Sequence, residues 1–203
     1  MCLGVKQMTK RCIKNGLIVA CLLIHSTGYA QQAAFSYVEE ARGVTQQFQQ
    51  TLKRELQAAI KTGGLKKAVD VCSIRAPEIA EEITAETGWT IGRTSLKTRN
   101  QKNRPTAQEK AVLDEFASRK SAGEDLAKME WGQQQGANIR YMKAIPMKGL
   151  CLSCHGMTVD ASLKNHIKEL YPLDTATGFK IGDIRGAFTL QKYIELSNGQ
   201  TIK

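Results

Sequence analysis

ANIRYMKAI, residues 137–145, is the stretch on which the fold turns. Ala137, Ile139, Tyr141 and Ile145 alternate with Asn138 and Arg140, with Lys143 the one polar residue in the apolar register, the period of two expected of a half-buried strand. A second stretch of the same kind comes near the end, where Ile184, Gly186, Phe188 and Leu190 alternate. Upstream the period is different. From Ala34 to about Ile60, Phe35, Val38, Ala41, Val44, Phe48, Leu52, Leu56 and Ile60 recur every three or four residues, as on a long amphipathic helix. Gly63-Gly64 breaks that helix. A short helix follows with Leu65, Val69 and Cys72 on one face, and Pro77 opens another that runs to about Thr87. Trp89–Ser95 is β-like, and Thr106 with Glu109 forms a capping box for a helix reaching about Lys120. Ala161–Tyr171 is a further short helix. Helices come first and strands cluster late, with no βαβ rhythm, so the expected class is α+β with an antiparallel sheet.

The first thirty residues have another character. Lys6, Lys10, Arg11 and Lys14 precede the apolar run Gly16–Ile24, and small residues follow at Gly28 and Ala30. This is the order of a secretory signal peptide, read as residues 1–30 and removed after Ala30. The apolar run is too short to span a bilayer, so no membrane span is expected after cleavage. IVAC (18–21) looks like a lipobox, but the apolar run continues past Cys21, which favours the cut after Ala30. Residues 31–203 then form a single exported domain, periplasmic in location. The formal charge of +10 falls to +6 when the four N-terminal cations leave. The remaining bases are scattered among acids without interleaved aromatics, which excludes a nucleic-acid footprint.

Three of the six cysteines remain: Cys72, Cys151 and Cys154. The last two stand in CLSCHG, residues 151–156. A structural zinc site wants four ligands, and Cys72, Cys151, Cys154 and His166 make such a set on paper. A thioredoxin-type pair needs a βαβ setting that the chain lacks. The reading that uses all five residues of C-x-x-C-H is one covalent haem c, with Cys151 and Cys154 as thioethers and His155 as an axial iron ligand. Met142, Ile145, Met147, Leu150 and Met157 are candidate apolar walls. The residues alone leave the sixth ligand open between Cys72, His166, Met129, Met142, Met147 and Met157. They also leave Cys72 open as a buried free thiol.

VCSIRAPEIA (71–80), GRTSLKTRNQKNRP (92–105), CLSCHG and YPLDTATGFKIGDIRGAF (171–188) occur in that order. Together they resemble a family of bacterial c-type haem domains of the Tll type, catalogued as a domain of unknown function. The resemblance implies a PAS-like fold, an antiparallel sheet flanked by helices, with His plus Cys iron ligation. Carried over residue by residue, the ligands are His155 and Cys72. Family members occur alone or as extracytoplasmic sensing parts of signalling proteins, and a lone domain implies a separate redox or signalling partner. The expected function is that of a redox or gas sensor rather than an enzyme, because a thiolate held by ferric charge is weakened on reduction and vacates a site for a diatomic gas. The alternative is a low-potential periplasmic electron carrier. A haem enzyme needs an open iron face and distal acid–base groups, and His166 is the sole spare histidine of residues 31–203. The polar loop 93–104 reads as a solvated basic loop, with Arg93, Lys97, Arg99, Lys102 and Arg104 as candidate holders of haem propionates or an anionic partner.

Overall fold

The period-two stretch forms strand β3 (Asn138–Pro146), central in a four-stranded sheet. The computed structural model describes residues 18–195, with side chains described from Tyr37. Residues 1–17 of the expected signal peptide lie outside the described residues. The chain divides into two compact units, Met1–Tyr37 and Val38–Lys203. The element order is α1 (Ile18–Ser73), α2 (Arg75–Thr87), β1 (Thr90–Thr94), a 3-10 turn (Gln101–Asn103), α3 (Ala107–Ser121), β2 (Glu130–Gln135), β3, α4 (Gly149–His155), α5 (Ala161–Leu170) and β4 (Ile184–Tyr193). α1 starts earlier than the pattern predicts and carries non-helical backbone at Gly64, where the sequence places the break. No helix among the described residues is long and apolar enough to cross a membrane.

The sheet is antiparallel throughout, in the order β1-β4-β3-β2. It is covered on both faces, which corrects the half-buried reading of β3. Neighbouring residues Tyr141 and Met142 point to opposite sides, and both are buried. On the Met142 side, Val112, Leu113 and Phe116 of α3 pack with Leu126, Met129, Ala144 and Ala187. Burying each large side chain there contributes about 1.5–3 kcal/mol. α3 starts where expected, with Thr106 and Glu109 capping each other's backbone amides. On the Tyr141 side, Phe48 of α1 meets Phe188 of β4 edge-on, with ring centroids 5.9 Å apart. Arg42 of α1 donates from Nε to both Glu130 carboxylate oxygens at 3.0 Å, and the Tyr141 hydroxyl donates to Glu130 at 2.8 Å. The result is the α+β, PAS-like arrangement of a sheet between helices.

One irregularity positions the site. The β3–β4 register pairs Ile145 with Gly186 and Pro146 with Ile184, so Arg185 is left over as a bulge. Gly186 has φ +153°, and a Cβ there would lie 2.3 Å from the Thr94 carbonyl oxygen. Only glycine lets β1 and β4 approach this closely at the bulge.

Candidate functional site

Helix α4 is two turns of chain built on the quoted motif, GLCLSCH. A helix this short is not stable alone and depends on what holds its ends. Its last turn closes with Gly156 N–H donating to the Leu152 carbonyl at 2.8 Å. A Cβ on Gly156 would lie 2.6 Å from that same oxygen, so the helix end admits glycine alone. Segment 174–179 then runs along this end. Gly178 N–H donates to the Gly156 carbonyl at 2.9 Å and Phe179 N–H to the His155 carbonyl at 3.1 Å.

The same segment fixes the histidine. Nδ1 of His155 lies 2.7 Å from the Ala176 carbonyl oxygen. A carbonyl only accepts, so Nδ1 carries the proton and Nε2 keeps its lone pair. Phe179 stands edge-on to the ring at 84°. Burial first, then the charges of Arg185 and Arg99, pull the imidazole pKa down to about 2, so the ring is neutral. A neutral imidazole anchored through Nδ1 to a carbonyl is the form that ligates a metal through Nε2.

Cys151 packs beside Met147, Ala176 and Phe179. Cys154 packs on the other side, against Val69, Leu163, Ile167 and Tyr171. Cys72, near the end of α1, is half-buried; burial raises the Cys154 thiol pKa, the Arg99 charge opposes that, and the neighbouring Cys72 and Cys151 thiols raise it further through charge. Burial first and then Cys72 also raise the Tyr171 phenol. Cys72 therefore lies close enough to Cys154 and Tyr171 for its charge to act on them, beside the contiguous Cys151–His155 motif, and all three thiols are free.

The rivals to Cys72 are placed otherwise. His166 Nε2 lies 2.9 Å from Asp70 Oδ1, which ties α5 to α1. Met129 and Met142 sit in the core on the α3 side of the sheet, and Met157 is 69% exposed. Met147 is buried beside Cys151. Of the expected apolar walls, Met147 lies at the motif while Leu150 is exposed. Among the described residues no three His, Cys, Asp or Glu side chains gather as a metal-ion set, so the paper zinc site is not assembled.

The basic loop departs from its solvated reading at Arg99 and at half-buried Arg93, while Lys97 is exposed as expected. Ser95, Thr98 and Arg99 are buried. Arg99 Nη2 donates to the Cys154 carbonyl at 2.6 Å and pairs with Asp174 at 3.2 Å. Thr98 and Thr175 bond through backbone and side chain, and Gln101 Nε2 donates to the Leu173 carbonyl. Loop and segment 173–177 thus satisfy many of each other's polar groups, which lets Thr98, Arg99 and Ala176 be buried, while Arg99 Nε and Gln101 Oε1 are left buried without a partner. Lys102 and Arg104 remain exposed. Arg185 was not among the sequence candidates. The bulge sends its Nη1 to Ser95 Oγ at 3.2 Å and the Lys97 carbonyl at 3.3 Å, with the guanidinium over the Phe179 ring. Burial, then Arg93 and Arg99, lower its pKa to about 10.

A sheet between helices, with a neutral histidine and free thiols converging at one end, defines a PAS-like α+β domain with a single C-x-x-C-H site. The chain belongs to the Tll0287-like family, whose model matches residues 28–191. The fold is similar to the crystal structure of the cyanobacterial haem protein Tll0287, with a TM-score of 0.61 and 24% sequence identity, covering 80% of this chain and 98% of that one. No curated protein matches the chain.

Proposed function

We propose that this chain is an exported, periplasmic c-type haem protein that works as a redox or gas sensor and not as an enzyme. In this reading Cys151 and Cys154 form the two thioethers, and His155 and Cys72 are the axial ligands of the iron. The observation that carries it is the His155 ring, neutral and anchored through Nδ1 to Ala176, with its Nε2 lone pair left for a metal. The donor set fits haem in two further respects. The motif thiols are unpaired, with Cys72 beside them. The site is also rich in cations, and Arg99 has a buried Nε without a hydrogen-bond partner. The solved relative's description as a haem protein supports the same reading.

The haem would supply a one-electron redox change and an iron able to bind a small gas. The chain's part is to hold one ligand firmly and the other less so. His155 is fixed from both sides, by Ala176 and by the Phe179 edge. Cys72 lies where α1 ends, next to the single residue Ile74 that separates it and Ser73 from α2. A helix end yields more readily than a helix centre. Were Cys72 to hold the iron, its place at this junction would let its loss be felt by α2, and a separate signalling partner would be the reader of that change.

The test is the protein exported from cells able to attach haem. One covalent haem per chain, seen by intact mass and by haem stain after denaturation, is expected, with a mature N-terminus at Gln31. A colourless chain refutes the haem reading. Carbon monoxide should bind the reduced form. If it cannot enter and Cys72 stays bound, an electron carrier replaces the sensor.

A further inference from the structure

Three arginines from separate elements meet beside the motif. Arg93 comes from β1, Arg99 from the following loop and Arg185 from the β4 bulge. Arg93 and Arg99 lie close enough to Arg185 for their charges to act on it, and one carboxylate, Asp174, is present to offset them. Like charges gathered this way cost energy unless an anion sits among them. The donors are also underused. Arg99 has a side chain 9% exposed and a buried Nε–H with no partner. Arg93 is half-buried over the Phe48 ring and has no ion pair among the described residues. Lys97 is engaged elsewhere, its ammonium donating to the Thr177 carbonyl.

We propose that Arg93, Arg99 and Arg185 form a guanidinium cradle that binds the two propionate carboxylates of the haem. The inference rests on the haem reading above and deepens it. Three guanidiniums against Asp174 leave two positive charges, the number two propionates neutralise. Guanidinium forks match carboxylates in geometry as well as charge. The position also suits the ligand, because Arg99 already binds the carbonyl of Cys154. One side chain thereby couples the thioether helix to the propionate end.

The full chain, produced without haem and kept reduced, is titrated with haemin and with haemin dimethyl ester, whose carboxylates are blocked. The cradle predicts tighter binding of haemin by about tenfold or more, from charge-assisted bonds. Arg93→Gln should shrink that ratio several-fold, and Arg93→Lys should restore part of it. The Arg93 side chain makes no hydrogen bond among the described residues and its backbone stays paired in the β1–β4 ladder, so the substitution spares the fold. In the haem-loaded protein Arg93→Gln should keep the ferric spin state and shift the propionate bending band in resonance Raman. Equal affinity for haemin and ester, or a ratio unchanged by Arg93→Gln, overturns the cradle while leaving haem binding intact. Equal affinity together with inorganic phosphate binding to the loaded chain through Arg93 overturns it in favour of an external anion. Binding of neither compound refutes the haem reading, and the cradle with it.

Discussion

Arg99→Met tests whether the buried loop and the motif helix are one structural unit. The arginine and Asp174 have side chains 9% and 11% exposed. Breaking a buried pair from one side costs about 3–5 kcal/mol, because the partner charge stays behind. Two features pull the value to the low end. Asp174 still accepts from Ala176 N–H at 2.9 Å, and Arg185 loses a like-charged neighbour. Against that, the Cys154 carbonyl loses its 2.6 Å donor. Methionine fills the stem's volume, so little cavity term is added. The expected loss is about 3 kcal/mol. Urea unfolding of the full chain without haem, in reducing buffer, reads it directly. With m near 2 kcal/mol/M, the midpoint should fall by about 1.5 M at unchanged m. Adding Asp174→Asn to the variant should cost less than Asp174→Asn alone, since no Arg99 charge is left to be orphaned. A midpoint shift worth less than about 0.5 kcal/mol, the scale of ordinary surface substitutions, would show that the loop is solvated after all.

Glu130 links stability to pH. The Arg42 hydrogen bond, aided by the Tyr141 hydroxyl and opposed by burial, lowers its carboxyl pKa. A depressed folded value means the stabilisation is full above the ordinary carboxylate range and is lost as pH falls through the folded value. Glu130→Gln should flatten that part of an acid-unfolding curve, and an unchanged curve refutes the assignment. Gly186→Ala places a Cβ 2.3 Å from the Thr94 carbonyl at φ +153°, and should destabilise the sheet by more than 1 kcal/mol or so in thermal unfolding. A variant as stable as the parent would mean the bulge is not held as described. Thr106→Ala removes the capping box of α3 and should cost about 1 kcal/mol, with no effect on any haem spectrum.

Patterns with a fixed period were legible in the sequence. The capping box, the Gly64 break, β1, β3, β4 and the short helix ending at Leu170 stand where periodicity and caps put them. Three matters were not legible, for physical reasons. Burial of β3 on both faces depends on α3 crossing the far side of the sheet, a long-range fact that no local alternation encodes. The burial of Arg99 depends on Asp174 and the threonines of segment 173–177, far away in the chain, so a basic loop read alone looks solvated. Arg185 was hidden because its orientation comes from a register slip. The threonines shared by KTRN and DTATG were the available signal, since each is a small donor–acceptor suited to lacing two loops. The motif itself was open to reading because its five residues are contiguous. Cys72 entered through family resemblance, and its neighbourhood with Cys154 is visible only once α1 is folded against α5.

In the proposed function Cys72 and His155 share one iron. Electron paramagnetic resonance of the ferric exported protein, wild type beside Cys72→Ala, tests it most directly. A low-spin thiolate–imidazole signal in the wild type is expected. The variant should keep its covalent haem through Cys151 and Cys154 and lose that signal. Identical ferric spectra from the two proteins would contradict the claim and leave Cys72 as packing alone.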